Sequence, residues 1–141
     1  MNAVEAFVDT NILVYAHDPG QGEKQRIAQA LLERLWERGS GAVSTQVLQE
    51  FYVNVRRKVR SPLTRQQALA CLEDFFSWRV VVNGELALRG AVDIEDRFGL
   101  SFWDALVVQA AQSCGAQILY SEDLSHGQSY GSVRVVNPFR S

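Results

Sequence analysis

Four acidic residues stand at positions that folding alone explains poorly. They are Asp9, Glu50, Asp104 and Asp123. Two follow short apolar runs, one is the only charged residue between positions 101 and 114, and one lies on the edge of a predicted helix. Because a buried carboxylate is costly unless it is paired or binds a metal, we expect the four to converge on a divalent-cation site.

Carboxylate oxygens as the only ligands favour Mg²⁺ or Mn²⁺ over zinc. Several carboxylates in close contact cannot all stay ionised without a counter-charge. Mg²⁺ keeps several of its waters and is commonly shared with a substrate phosphate. Such an ion activates water and stabilises charge on phosphoryl oxygens, so the chemistry that these residues favour is metal-assisted phosphodiester hydrolysis.

Each acid also has a purely structural explanation. Asp9 and Asp123 could be turn residues that end a strand, and Glu50 could be an exposed helix residue. Ser101 is a plausible N-cap with Asp104 three residues later, where the helix dipole favours an acid. The long separations along the chain do not prove that the four residues meet.

The elements that must position these residues alternate between strand and helix. Strands are predicted over residues 4–8, 42–44, 79–82, 117–120 and 133–136. Helices are predicted over residues 11–16, 23–38, 45–59, 64–77, 85–98 and 101–114. This alternation predicts one domain, residues 1–141, with a mainly parallel sheet of four to five strands flanked by helices. Ligands bind beyond the carboxyl ends of such strands, where Asp9 and Asp123 both lie.

Composition narrows the classes of function. The formal net charge of −2 argues against nucleic-acid binding through bulk charge. No apolar stretch approaches the roughly 20 residues of a membrane helix, and no signal peptide is visible, so we expect a cytoplasmic protein. Two cysteines without a close C-x-x-C pair and two histidines make a zinc site improbable.

The densest basic stretch comprises Arg56, Arg57, Lys58 and Arg60. At the end of a predicted helix these residues could simply complement the helix dipole and stay solvated. They could also hold the phosphates of RNA.

Five segments resemble, in order, the motifs of PIN-domain nucleases. They are residues 7–13 (FVDTNIL), 48–52 (LQEFY), 100–106 (LSFWDAL), 118–124 (ILYSEDL) and 135–139 (VVNPF). In length and lack of further domains, the chain resembles the VapC-type toxins of toxin–antitoxin pairs.

This resemblance implies a three-layer α/β/α sandwich and a Mg²⁺- or Mn²⁺-dependent endoribonuclease. It also implies a homodimer and inhibition by a small antitoxin encoded next door. Asp9, Glu50, Asp104 and Asp123 carry over as metal ligands and catalytic residues. Asn11 and Ser121 carry over as residues that orient carboxylates, and Glu122 could stand in for Asp123.

Other classes of protein also fit parts of the pattern. Phosphatases that form an aspartyl-phosphate and receiver domains place aspartates at strand ends, but both normally use a late lysine, and no lysine follows Lys58. A PIN-like domain can be a non-catalytic RNA-binding or assembly scaffold once its acids are lost, whereas all four are present here. A PIN nuclease that processes RNA outside any toxin system cannot be separated from a toxin by sequence.

The predicted helices 23–38 and 64–77 carry more large apolar side chains than one face can bury. They include Leu31, Leu35, Trp36, Phe75 and Phe76, and Trp78 follows them. These side chains could form a second layer of core. They could instead leave an apolar groove that accepts an amphipathic helix, and the antitoxin is the partner that the resemblance implies.

Overall fold

The computed structural model describes residues 3–140 and contains one six-stranded sheet. Its strands are β1 (Ala6–Val8), β2 (Gly41–Ser44), β3 (Arg79–Val81), β4 (Ile118–Tyr120), β5 (Ser129–Tyr130) and β6 (Val133–Val136). They lie in the order β3-β2-β1-β4-β6-β5. All neighbours are parallel except β5 and β6, which form an antiparallel pair.

Helices flank this sheet in a three-layer α/β/α sandwich, which confirms the predicted fold class. They are α1 (Thr10–Ala16), α2 (Glu23–Arg38), α3 (Thr45–Val55), α4 (Arg65–Phe75), α5 (Glu85–Phe98) and α6 (Phe102–Ser113), with a short 3-10 helix at Pro19–Gln21. Helix α1 packs against α2 and α3, and α5 packs along α6.

The central strands are short, apolar and fully enclosed. Phe7 of β1 lies in register with Ala42 of β2 and Leu119 of β4, and all three side chains are buried. Continuous apolar runs are typical of parallel strands that are covered on both faces. Burial of a side chain such as Phe7 stabilises the fold by about 1.5–3 kcal/mol, and a Phe7→Ala cavity would cost about 3–5 kcal/mol.

The sheet has one strand more than the four to five that the sequence predicts. The additional strand, β5, is only two residues long, and Gly131 with φ 62° lies in the turn between it and β6. Glycine adopts this left-handed conformation without the steric penalty of other residues. A strand of two residues is too short to show an alternating pattern in the sequence. It forms here because it pairs with β6.

Helix α3 ends four residues earlier than predicted. The backbone N–H groups of Arg57 and Lys58 both donate to the carbonyl of Asn54, at 3.2 and 2.8 Å, which closes the helix in a turn. The buried carboxylate of Asp18 then accepts the backbone N–H of Arg60 at 3.0 Å. The basic residues from Arg56 onward therefore occupy an anchored turn after the helix, which we call the basic turn.

Two central strands create a crevice at one edge of the sheet. The chain passes from β1 to its neighbour β2 on one side, whereas β4 lies against β1 on the other. Such a reversal of strand order separates the connections on either side and leaves a crevice beyond the carboxyl ends of the strands. Asp9 follows β1 and Ser121 follows β4, so the fold brings the first and fourth acidic motifs to this point.

Candidate active site

An open cleft of about 150 Å³ lies beyond the carboxyl ends of β1 and β4, and we call it the acid cleft. All four predicted carboxylates line it: Asp9, Glu50, Asp104 and Asp123. The cleft is completed by Thr10, Asn11, Gln46, Asn54, Trp103 and Val107. The structure therefore brings together residues from four distant segments that sequence spacing alone could not connect.

Asp9 is the most enclosed of the four acids, with only 7% of its surface exposed. Its backbone N–H donates to the Tyr120 carbonyl at 2.9 Å, and its carboxylate accepts the Thr10 N–H at 2.8 Å, which caps α1. The hydroxyl of Ser121 donates to its other oxygen at 2.9 Å. Burial, supported by the nearby carboxylates of Asp123 and Glu50, raises the pKa of Asp9 to about 6.

Glu50 is held by a residue that the sequence reasoning missed. The Thr10 hydroxyl donates to Glu50 Oε1 at 2.7 Å, which links the start of α1 to the middle of α3. Helix α3 is capped by Ser44, whose hydroxyl accepts the Val47 N–H at 3.2 Å. The adjacency of Thr10 to Asp9 was the one signal that could have identified this contact.

Asp123 accepts a hydrogen bond from Asn11 Nδ2 at 2.9 Å. Burial raises the pKa of its carboxyl, and the carboxylates of Asp104 and Glu122 raise it further. Asn11 and Ser121 thus both contact carboxylates of the cleft. Asn11 lies in α1, which follows β1, and Ser121 directly follows β4. Their role in orienting ligands stays a prediction that these contacts support.

Glu122 does not line the acid cleft, although it adjoins Asp123. Its carboxylate forms an ion pair with Lys24 and accepts a hydrogen bond from the Tyr15 hydroxyl at 2.5 Å. Burial opposes ionisation of this carboxyl, but the bonds from Lys24 and Tyr15 outweigh it and lower the pKa of Glu122. The same environment raises the pKa of Tyr15 to about 12, through burial and the contact with Glu122.

Asp104 lies in the first turn of α6 and lines the acid cleft, and its role as a metal ligand stays a prediction. The Ser101 hydroxyl accepts the Asp104 N–H at 3.1 Å, which caps α6, while Asp104 also lines the cleft. Helices α1 and α6 thus begin at the cleft, at Thr10 and Phe102. The positive partial charges of these helix ends offset part of the repulsion among the acids.

The cleft suits a cation that keeps several bound waters better than one that is fully enclosed by protein ligands. Among residues 3–140, no three or more His, Cys, Asp or Glu side chains are assembled as a metal-binding cluster. The donors are oxygens, as Mg²⁺ and Mn²⁺ prefer, and Mg²⁺ keeps several waters. Gln46 is 7% exposed and its buried Oε1 has no hydrogen-bond partner within the described part of the chain. Water held by a cation is a donor that such an acceptor needs.

The basic turn lies directly beyond one end of the cleft. Asn54 lines the cleft, and its carbonyl anchors Arg57 and Lys58. Arg56, Arg57, Lys58 and Arg60 are all exposed. The Arg56 guanidinium lies over the Tyr52 ring, 5.5 Å from its centroid, and donates to the Tyr52 hydroxyl at 3.2 Å. The structure thus joins these residues to the acids through α3, and their contact with phosphate stays a prediction.

Most of the large apolar residues of α2 and α4 form core and not a groove. The ring of Trp36 lies 4.8 Å from that of Phe75 and 4.9 Å from that of Trp78, measured between centroids. Leu31, Leu35, Phe75 and Trp78 are buried. These four buried residues therefore form the second layer of core that the sequence allowed, whereas Trp36 and Phe76 stay exposed at the surface.

Two apolar depressions nevertheless remain on the surface. The α2 groove, of about 390 Å³, is lined by Ala16, His17, Gln29, Leu32, Glu33 and Trp36. The α3–α4 groove, of about 470 Å³, has an almost wholly apolar lining that includes Leu48, Tyr52, Val53, Leu72, Phe76 and Val80. Phe76, the residue at the end of α4, is 59% exposed beside this groove.

The chain belongs to the PIN domain family, whose model matches residues 6–127. No curated protein is significantly similar to it in sequence. Within residues 3–140, every helix is too short or too polar to cross a lipid bilayer.

Several solved structures share its fold. A chain of a toxin–antitoxin complex from Klebsiella pneumoniae matches with a TM-score of 0.71 and 20% identity, covering 97% of this chain and 100% of that one. VapC20 from Mycobacterium tuberculosis, described as a toxin that cleaves the sarcin–ricin loop, matches with a TM-score of 0.64 and 21% identity, covering 84% and 90%. A chain of DNA-bound VapBC from Salmonella typhimurium matches with a TM-score of 0.62 and 20% identity, covering 94% and 96%.

Proposed function

We propose that this protein is a metal-dependent endoribonuclease and the toxin of a type II toxin–antitoxin pair, acting in the cytoplasm. The observation that carries the nuclease is the convergence of four carboxylates at the carboxyl edge of a parallel sheet. Carboxylates gathered at close range repel one another unless something compensates their charge, and Asp9 carries the additional cost of burial. A divalent cation and the phosphate of a substrate provide that compensation.

Asp9, Glu50, Asp104 and Asp123 would hold Mg²⁺ or Mn²⁺. The bound ion would supply Lewis acidity, which activates water and stabilises negative charge on phosphoryl oxygens. Thr10, Asn11 and Ser121 keep three of the carboxylates in fixed orientations through hydrogen bonds of 2.7–2.9 Å. Catalysis of this type depends on such prior positioning of charge, so these three residues act through the acids they hold.

The similar solved chains from toxin–antitoxin complexes support the toxin assignment. The α2 groove suits the antitoxin, because it combines apolar Leu32 and Trp36 with polar Gln29 and Glu33 at its rim. An amphipathic helix presents the same combination, an apolar stripe bordered by polar residues. We assign this groove to the antitoxin.

The more apolar α3–α4 groove suits a second copy of this chain. Interfaces of homodimers are more apolar than those of proteins that also exist apart, and the exposed surface of this lining is almost wholly apolar although Thr45 and Gln49 contribute to it. Phe76→Glu would place a charge at its edge without removing a core residue. Sedimentation of the wild type as a dimer and of Phe76→Glu as a monomer is expected, and a wild-type monomer would contradict the dimer.

The nuclease is tested with purified protein and an unstructured single-stranded RNA. Cleavage should require Mg²⁺ or Mn²⁺, should leave 5′-phosphate and 3′-hydroxyl ends, and should be lost in Asp9→Asn and Glu50→Gln. Asp96→Asn, which changes an exposed acid of α5, is the matched control. Full activity in excess chelator, or 2′,3′-cyclic phosphate ends, would contradict the mechanism. RNA binding without cleavage would instead favour the scaffold.

The toxin assignment is tested separately in cells. Expression of the chain alone should arrest growth, and co-expression with a small protein from the adjacent gene should restore growth and yield a complex. Glu33→Arg, an exposed change in the α2 groove, should weaken that complex without affecting RNA cleavage. A chain that is harmless alone and has no co-purifying neighbour would remain a nuclease but not a toxin.

A further inference from the structure

Trp103 is a large aromatic side chain left in solvent beside the acid cleft. It is 63% exposed, although it is the immediate neighbour of Asp104 and lines the same cleft. The other two tryptophans, Trp36 and Trp78, pack into the aromatic cluster described above. Tryptophan is enriched where proteins contact other molecules, because its ring combines a large apolar surface with a polar N–H group.

The backbone at Trp103 is held in place. Trp103 is the second residue of α6, whose first turn is capped by Ser101. Its carbonyl accepts the side-chain N–H of Gln46 at 3.4 Å, and its ring meets the edge of Phe102 at a centroid distance of 5.5 Å. The indole is thus presented from a fixed helix start, so a planar ligand would bind it with little loss of conformational entropy.

The cleft runs along one face of α3 and has different groups at its two ends. Gln46, Glu50 and Asn54 all line it and are spaced four residues apart, so they span about 12 Å along the helix. Trp103 contacts Gln46 at the first end of this face. The basic turn follows Asn54 at the other end. The carboxylate of Glu50 lies between an aromatic surface and a cluster of positive charge.

We propose that the indole of Trp103 stacks on an unpaired base of the RNA, next to the phosphate that lies over the acid cleft. This inference rests on the proposed nuclease function and defines its substrate as RNA with at least one unstacked base at the cleavage site. Bases of a duplex are stacked on their neighbours, whereas those of loops and single strands can be splayed onto an aromatic side chain. The negative backbone would continue towards the basic turn, whose charge complements it.

The test separates bases from phosphates. The Glu50→Gln variant, which is expected not to cleave, is the background, with Mn²⁺ in excess. Two probes are used: a short mixed-sequence single-stranded oligoribonucleotide, and an abasic oligomer of the same length with the same sugar–phosphate backbone. Trp103→Ala should weaken binding of the base-bearing probe roughly five- to a hundred-fold and leave the abasic probe unaffected. Trp103→Phe should retain most of the affinity, because any aromatic face can stack.

Indole fluorescence gives a second readout. The base-bearing probe should quench the emission of the background protein, and this quenching should be absent in Trp103→Phe. Equal loss of affinity for both probes in Trp103→Ala, or no loss for either, would overturn the inference while leaving the nuclease intact. A change from dimer to monomer in Trp103→Ala would assign the residue to a contact between copies instead. Wild-type protein that neither binds nor cuts RNA would overturn the proposed function together with this inference.

Discussion

Lys24 and Glu122 form an ion pair that joins the first turn of α2 to the loop after β4. Tyr15 of α1 donates to the other oxygen of the same carboxylate, so three segments meet at Glu122. The next residue, Asp123, lines the acid cleft. The ion pair therefore holds one of two adjacent acids away from the cleft and thereby fixes the position of the other.

Removing the positive charge of Lys24, which lies outside the cleft, should alter the cleft through the loop that carries Asp123. In Lys24→Met, Glu122 loses its counter-charge and the loop that carries Asp123 loses an anchor. We expect Mn²⁺ affinity, measured by calorimetry, to fall by roughly tenfold, the lower end of the effect seen when residues behind metal ligands are changed. Lys24→Arg keeps the charge and should keep the affinity. Wild-type affinity in Lys24→Met would show that the loop needs no such anchor.

Asp9→Asn should weaken Mn²⁺ binding by at least about tenfold, because it removes a charged oxygen ligand while preserving the size of the side chain. Titration calorimetry on the wild type and the variant measures the change. Asp96→Asn makes the same chemical change at an exposed position on α5 and should bind as the wild type does. Equal affinities for all three proteins would remove Asp9 from the site.

Metal affinity should increase with pH in the range around the pKa of Asp9, which is about 6. Below that value the carboxyl carries a proton that the cation must displace, so affinity should rise roughly tenfold per pH unit and then level off. Calorimetry in two buffers of different ionisation enthalpy measures the proton released. Asp9→Asn should show a shallower dependence. An affinity that is flat between pH 5 and 7 would contradict a protonated Asp9.

The same carboxyl should make the metal-free protein less stable at neutral pH. Its folded-state pKa lies above the ordinary value of 3.8, so its contribution to stability is complete below that value and is lost as the pH rises through about 6. In chelator at pH 7.5, Asp9→Asn should therefore have a free energy of unfolding higher by roughly 1–3 kcal/mol. Urea unfolding should show this advantage disappearing below about pH 4. A variant less stable at pH 7.5 would indicate that the hydrogen bonds of Asp9 outweigh its burial.

The basic turn should contribute to RNA affinity through charge alone. Replacing Arg57 and Lys58 by glutamine should weaken binding of many RNA sequences alike and lower the slope of log affinity against log salt by about one per lost phosphate contact. Replacing Arg89 and Arg97, which are exposed on α5 and do not line the cleft, removes the same charge and is the control. Identical salt slopes in both double variants would mean that the turn only terminates α3.

Much of this fold can be predicted from patterns in the sequence. The apolar run of β1 and the periodic faces of α2 and α3 predict their elements, and the strand-end positions of Asp9 and Asp123 predict that they meet. Side-chain contacts between neighbouring elements are harder to predict from the sequence. Nothing in the sequence pairs Lys24 with Glu122, and the only signal for the bond between Thr10 and Glu50 is that Thr10 follows Asp9. Such bonds depend on how neighbouring elements pack. The positions of Gln46 and Asn54 at the cleft could have been predicted, because each lies one helical turn from Glu50.

The acid cleft also has a consequence for the order of events during synthesis. Its members are spread from residue 9 to residue 123, and β4, which delivers the last of them, inserts between β1 and β6 in the middle of the sheet. A nascent chain whose residues from β4 onward are still inside the ribosome has neither a completed sheet nor a fourth carboxylate. The proposed nuclease activity would therefore require that the chain has emerged at least through β6.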